Sequence, residues 1–207
     1  MSAPKGVVYI VEDDQSFRRS MKRLIRASGC EVVVFESANS FLAQPSIRHP
    51  ACLLLDVKLP GIDGLRLQQK LIDMGDCLPI IFMTGYGTVP MSVQAMKKGA
   101  VDFLPKPFEQ KDLLSAVLQA LERDIHQVKE ELQKKEIHAL IDTLTPRENE
   151  VLRWVITGRL NKQIAYDLGV CEKTIKVHRA RIMQKTKVSS VAELVRLAQK
   201  VDISPVD

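Results

Sequence analysis

Along the first 120 residues, short apolar runs alternate with stretches of helical spacing. "GVVYIV" (6–11), "EVVVF" (31–35), "ACLLLD" (51–56), "LPIIFMT" (78–84) and "VDFL" (101–104) are bounded runs of Val, Ile, Leu and Phe, and each predicts a strand. In 16–29, Phe17, Met21, Leu24 and Ile25 fall at helical spacing, and Gly29 suits the position just past the helix end. Further helices are expected over 37–44, 64–75 and 90–100, the last with Pro90 in its first turn. Strands alternating with helices of this length imply a doubly wound α/β domain. Its parallel sheet would be covered on both faces.

A helix that starts near 109 has no evident stop. Leu114, Leu118, Leu121, Ile125, Val128 and Leu132 alternate steps of four and three, which is coiled-coil spacing. The stretch 122–138 is highly charged and lacks Gly and Pro. Two readings stand: a helical linker, 122–143, paired with a second copy, or one long helix whose later part is solvated. After it the pattern changes. Thr145, Pro146 and Glu148 combine an N-cap, a proline at the first helical position and a capping-box acid. Helices are expected over 144–158, 161–170, 171–187 and 189–200, closed or separated by Gly158 and Gly169, with Ser190 and Glu193 at capping-box spacing. Four short helices with a tight glycine-containing turn predict a separate all-α helix-turn-helix domain over 144–207.

Charge sharpens this division. The 207 residues carry a net charge of +5, and residues 144–207 alone hold 12 Lys+Arg against 7 Asp+Glu. A small basic domain beside a near-neutral one points to a polyanionic partner. No apolar run approaches the roughly 18 residues of a membrane span. The start "MSAPKGVVYIVEDD" lacks a signal-peptide core. Cys30, Cys52, Cys77 and Cys171 form no CxxC pair, so they read as reduced thiols in a cytoplasmic protein.

Candidate chemistry lies at the strand exits. Glu12 and Asp13 follow the first strand, Asp56 ends the third, Thr84 ends the fourth and Lys106 follows the fifth. Open α/β sheets bind ligands outside the carboxyl ends of their strands. Asp14 is assigned as the N-cap of the next helix. Clustered carboxylates repel unless a cation neutralises them. Mg2+ (or Mn2+) suits one or two carboxylates plus a phosphoryl group. Asp56 is then a nucleophile toward phosphorus, with Lys106 and Thr84 facing the equatorial oxygens.

The helix 172–187 carries Lys173, Lys176, Arg179, Arg181, Lys185 and Lys187 against Glu172 alone. Ile175, Ile182 and Met183 point toward a core, while Lys173, Lys176, Val177, Ala180 and Gln184 share an outward face. In a major groove, Val and Ala meet thymine methyls and Lys reads guanine edges, with flanking basic residues on phosphates.

These motifs carry a resemblance. "VEDD" (11–14), "LLLDVKLPG" (53–61), "MTGYG" (83–87) and "FLPKPF" (103–108) resemble the receiver domain of bacterial two-component response regulators, the likeness covering 5–121 of an expected receiver domain at 1–121. The resemblance implies a CheY-like sheet of order 2-1-3-4-5 and phosphorylation of Asp56 by a sensor histidine kinase. It implies Mg2+ held by Asp13, Asp56 and the backbone carbonyl of Lys58, with Glu12 through water. It also implies Lys106 pairing with the phosphoryl group, Thr84 and Phe103 as a switch pair, and a cis Lys106–Pro107 bond. Tyr86 stands where side chains affect access to the phosphoryl group. Glu12 replaces the commoner Asp, which a water-mediated contact tolerates. The segment 144–195 resembles LuxR-type DNA-binding domains, and the whole chain resembles the FixJ branch of regulators. That likeness implies backbone contacts from Asn161, Lys162 and Gln163 and base contacts from Lys176, Val177 and Ala180; Lys173, Thr174, Arg181 and Lys185 are further expected DNA-binding residues. Cys171 stands where Ser or Thr often caps the recognition helix.

The expected function is a phosphorylation-controlled transcription regulator that binds promoter DNA as a homodimer, without enzymatic turnover beyond slow self-dephosphorylation. The alternatives are a Mg2+-dependent aspartyl-phosphate phosphohydrolase, disfavoured because no separate general acid or base and no cap domain are evident, and a regulator acting without phosphorylation.

Overall fold

The structure is a computed structural model describing residues 6–85 and 89–206. The chain divides into two compact units, residues 1–129 and 130–207. In the first, β1 (Val7–Val11), β2 (Glu31–Phe35), β3 (Ala51–Asp56), β4 (Ile80–Thr84) and β5 (Asp102–Pro105) form one parallel sheet of order β2-β1-β3-β4-β5. The intervening helices are α1 (Gln15–Ala27), α2 (Ala38–Leu42), α3 (Gly64–Asp73) and α4 (Val89–Lys97), followed by α5 (Gln110–Ile141).

The strand residues sort by parity, because successive side chains on a strand point to opposite faces. Tyr9, Val11, Leu53, Leu55 and Phe82 pack with Phe41 of α2, Leu67 and Leu71 of α3 and Ala95 of α4. Val8, Ile10, Cys52, Leu54 and Ile81 pack with Met21 and Ile25 of α1 and with Leu113, Val117 and Leu121 of α5. Both faces are therefore dry, and every side chain of β1, β3 and β4 is buried. Such strands have no solvent face, so polar residues are confined to their exits.

Local signals set the helix ends. Asp14 accepts from the Phe17 amide at the start of α1, as expected. Gly29 follows that helix with φ of +92°, a conformation that favours glycine.

Helix α5 runs unbroken through the charged stretch. Leu121 of the proposed seam is buried in the sheet core and Leu114 packs against it. Ile125 and Leu132 are exposed by 40% and 56%. Any pairing along this helix is left to its later positions.

The second unit holds α6 (Pro146–Val155), α7 (Asn161–Asp167), α8 (Glu172–Thr186) and α9 (Val191–Lys200). Val151, Leu152, Ile164, Ile175, Ile182 and Leu194 form its core, joined by Ile137 and Ile141 from the end of α5. The second core thus begins inside the long helix, before the residue at which the sequence pattern changes.

At α6, Thr145 and Glu148 cap each other's backbone amides. Glu148 is almost wholly buried, and its Oε2 also accepts from Lys185 Nζ at 2.6 Å. The lysine and the backbone amide outweigh burial and lower the Glu148 pKa to about 2. A carboxylate depressed in the folded state adds stability above its ordinary value of 4.5, and loses it as pH falls toward 2. Glu148→Gln keeps an acceptor for the cap and removes the charge. It is expected to cost the helical unit about 1–2 kcal/mol at neutral pH. In thermal unfolding the difference from the parent should close between pH 4.5 and about 2. A difference constant across that window would mean that the charge contributes nothing.

Candidate phosphoryl and nucleic-acid sites

Because all five strands run parallel, their carboxyl ends share one edge, where the expected residues meet. Lys106 Nζ lies 2.6 Å from Glu12 Oε2 and 2.7 Å from Asp56 Oδ2. Glu12 and Asp56 are buried, and Asp13 beside them is exposed. One carboxylate oxygen from each of Glu12, Asp13 and Asp56 lies within 4.8 Å of the others. That spread is close to twice a Mg–O bond of about 2.1 Å, so the triad fits a divalent cation with one carboxylate reached through water. A cleft of about 520 Å3, lined in part by Asp13, Lys58, Pro60 and Met91, lies on the Asp13 side of the triad.

The electrostatics are those of crowded acids crossed by one cation. Burial raises the Glu12 pKa and nearby Asp56 adds to it, against the opposing pull of Lys106. Burial disfavours the Lys106 ammonium, but the two carboxylates outweigh it and hold its pKa above the ordinary value. Among the protein's own groups, Lys106 neutralises these carboxylates.

Local packing fixes each group. The Lys58 amide donates to Asp56 Oδ1 at 3.0 Å, which turns the carboxylate toward the β3 exit loop. Thr84 is buried at the end of β4, and its carbonyl accepts from the Lys106 amide at 2.6 Å. The Lys106–Pro107 bond is cis. Phe103 is partly buried with its ring 6.0 Å from that of Phe82. Tyr86 lies outside the described residues.

Three supporting residues were not singled out from the sequence. Arg18 donates to the carbonyls of Glu12 at 2.5 Å and of Asp13 at 3.1 Å, pinning the acidic loop from α1. The ring of Phe17 lies 4.2 Å from Lys106 Nζ and packs edge-on against Phe108, walling the ammonium in. Gly64 brings α3 against the β3 exit, because a Cβ there would stand 2.3 Å from the Asp56 carbonyl oxygen. The spacing of Arg18 behind "EDD" is the one signal that could have pointed to it.

In the second unit, Ile175 and Ile182 of α8 are buried, whereas Lys173, Lys176, Val177, Ala180, Arg181 and Gln184 are exposed. Val177 is 42% exposed, an apolar side chain held out among cations. Thr174 is half-buried, 3.1 Å from the sulfur of Cys171 at the helix N-cap. That hydroxyl, with the backbone amides of Thr174 and Lys173, holds the Cys171 thiol below its ordinary pKa. Lys176 pairs with Glu172 across one turn at 3.0 Å, an exposed contact of small worth. On α7, Lys162 is exposed, the side-chain Oε1 of Gln163 accepts from the Leu160 amide, and Asn161 Oδ1 is buried without a partner among the described residues. Lys185 stands apart from the outward face: its ammonium is taken up by Glu148 and by the Thr143 carbonyl.

Comparison with known proteins finds a family for each unit. The response regulator receiver domain family matches residues 8–118, and the luxR family of bacterial regulatory proteins matches residues 142–198. The chain is 44% identical to nodulation protein W of Bradyrhizobium diazoefficiens, over 98% of this chain and 89% of that protein. It is 40% identical to the transcriptional regulatory protein FixJ of Azorhizobium caulinodans, over 97% and 95%. Among solved structures it is similar to the response regulator StyR, with a TM-score of 0.81 and 43% identity over 95% of this chain and 99% of that one.

Proposed function

Because this chain belongs to the two-component response regulators with a LuxR-type output domain, we propose that phosphoryl transfer to Asp56 controls its binding to promoter DNA. The receiver domain implies a histidine kinase partner, and the helix-turn-helix implies DNA. The observation that carries the reading is the buried carboxylate of Asp56, flanked by two further acids and held by Lys106.

In this reading a carboxylate oxygen of Asp56 attacks the phosphorus of the kinase phosphohistidine. The P–N bond breaks, and the imidazole leaves and takes up a proton. Asp13, Asp56 and the Lys58 backbone carbonyl would hold Mg2+ (or Mn2+), with Glu12 through water. When bound there, the ion would offset charge on the transferring phosphoryl oxygens. Lys106 leaves its carboxylates for the phosphoryl group, and Thr84 donates its hydroxyl to it. Phe103 then turns inward behind Thr84 and repacks the surface of α4 and β5, which we take as the dimer surface. The family is typically made of transcription factors rather than enzymes, and slow self-dephosphorylation is the only hydrolysis assigned here. We take the receiver to span 1–121, the linker 122–143 and the DNA-binding domain 144–207, in the cytoplasm.

Thr84→Val tests the coupling. It keeps the size of the side chain and removes the hydroxyl. The variant should accept phosphoryl at Asp56 yet sediment as a monomer under conditions where the phosphorylated parent dimerises. A phosphorylated variant that dimerises like the parent would route the signal elsewhere.

On DNA, we assign Lys176, Val177 and Ala180 to base edges. Asn161, Lys162, Gln163, Lys173, Thr174 and Arg181 are assigned to backbone or flanking contacts. Lys185 is assigned a structural role, because Glu148 already holds it. Lys176→Ala should relax sequence preference and cost about 1–3 kcal/mol at the cognate site. Arg181→Ala should weaken cognate and random duplexes alike and make the salt dependence shallower by about one unit. Binding isotherms at several salt concentrations separate the two, and identical behaviour would contradict the division of the helix.

A further inference from the structure

The cleft of about 520 Å3 beside the acidic triad has walls unlike the triad itself. Val57, Leu59, Pro60, Leu65 and Met91 line it together with Asp13, Lys58 and Asp63. Val57 and Leu59 are buried, whereas Leu65 and Met91 are half-buried and keep surface for a further partner. Asp63 is occupied as the N-cap of α3, where its Oδ1 accepts from the Arg66 amide at 2.7 Å. The segment 57–60 that supplies one wall leads directly on from Asp56, and the Lys58 amide turns Asp56 Oδ1 toward it at 3.0 Å. The other carboxylate oxygen, Oδ2, faces Lys106 at 2.7 Å. On that side Phe17 and Phe108 wall the ammonium in, the Phe17 ring 4.2 Å from it. Among the described residues, the open approach to Asp56 is therefore the one that carries the cleft.

That placement selects what the cleft takes. A leaving group stays bonded to phosphorus until the bond from Asp56 is forming, so it lies on the open side of the acceptor. We propose that the cleft seats the apolar part of the phosphodonor's leaving group, with Leu65 and Met91 as the residues that set donor preference. The inference rests on Asp56 as the phosphoryl acceptor. In a kinase the seated group is the phosphohistidine imidazole, and in an acyl phosphate it is the hydrocarbon chain or ring. Asp13 and Asp63 on the same walls oppose a leaving group with negative charge beyond the reacting bond, such as a nucleoside diphosphate. With an acyl phosphate, a carboxylate oxygen of Asp56 bonds to phosphorus, the P–O bond to the acyl group breaks, and the carboxylate departs as its anion without a proton transfer. Contact of the non-reacting part with the cleft then appears as rate.

The test is labelling of the full chain, with Mg2+, by acetyl, butyryl and benzoyl phosphate at concentrations far below saturation. Acetate and butyrate are equally good leaving groups, so that pair reads contact alone. The parent should react about fivefold faster with butyryl than with acetyl phosphate, and about tenfold faster or more with benzoyl phosphate. Met91→Gln keeps the side-chain length and Leu65→Asn keeps the branching, and both make the wall polar. Each should lower the butyryl-to-acetyl and benzoyl-to-acetyl ratios by about threefold to tenfold. A ratio taken on one preparation does not change with the fraction of folded protein, so a destabilised variant still reports. Equal rates with all three donors in the parent, or variants that keep the parent's ratios, overturn the cleft assignment while leaving Asp56 as the acceptor. No labelling by any of the three overturns phosphoryl acceptance, and the cleft assignment with it.

Discussion

Asp56→Asn is expected to reduce phosphoryl labelling to background, whether the donor is a kinase or acetyl phosphate. The substitution changes one oxygen to an amide nitrogen, and neither amide atom is a nucleophile able to form an acyl phosphate at this site. The fold should persist. Asp56 sits among two other carboxylates, so removing its charge relieves repulsion, while the single amide oxygen keeps one of the two bonds Asp56 accepts, from the Lys58 amide or from Lys106. The unfolding free energy should therefore stay within about 1 kcal/mol of the parent. Chelation by EDTA should abolish labelling of the parent as well, since the acid cluster would then lack its cation. Stoichiometric labelling of the variant would place the acceptor on another residue.

Lys106→Met is expected to damage both stability and chemistry. Among the described residues, this ammonium is the one cation bonded to both Glu12 and Asp56, and all three side chains are at most 19% exposed. Removing it leaves two buried carboxylates without that partner, a change that costs about 3–5 kcal/mol in comparable buried pairs. The pH dependence gives the diagnostic. The Lys106 pKa is raised, so its contribution is complete at neutral pH and is lost only above its ordinary value of 10.5. Glu12 has a raised pKa from burial, and the lost lysine raises it further, so protonation relieves the variant. The stability deficit in urea unfolding should narrow as pH falls toward 4.5, and added Mg2+ should recover part of it at neutral pH. Phosphoryl acceptance should slow by about 10²- to 10³-fold, the usual effect of removing one preorganised electrostatic stabiliser. A variant as stable as the parent at neutral pH would mean that the carboxylates do not depend on this lysine.

The sequence made the sheet and the principal residues of the pocket legible for one reason. The strands are short bounded runs, so their exits can be counted, and Glu12, Asp56, Thr84 and Lys106 each occupy one. Topology does the rest, since parallel strands deliver those exits to one edge. The supports were hidden because they depend on approach in three dimensions. Gly64 matters through contact with a carbonyl eight residues earlier, which no spacing rule encodes. Arg18 acts on backbone oxygens, and these carry no signature of their own in the sequence. The pairing of Lys185 with Glu148 was hidden because a lysine in a basic helix is indistinguishable from its neighbours until the fold places the acid beside it. The boundary of the second core was obscured in the same way. Ile137 and Ile141 lie in a charged helix that reads as a linker, and only packing assigns them to the helical unit.

The most direct test of the account is the affinity of the full chain for DNA before and after phosphorylation. The duplex should be one selected from a random library by the phosphorylated protein, measured at a single salt concentration with Mg2+ and a small-molecule phosphodonor. The account predicts that the parent binds at least about tenfold more tightly once phosphorylated, and that Asp56→Asn is indifferent to the donor. A parent whose affinity is the same with and without phosphoryl at Asp56 would contradict it.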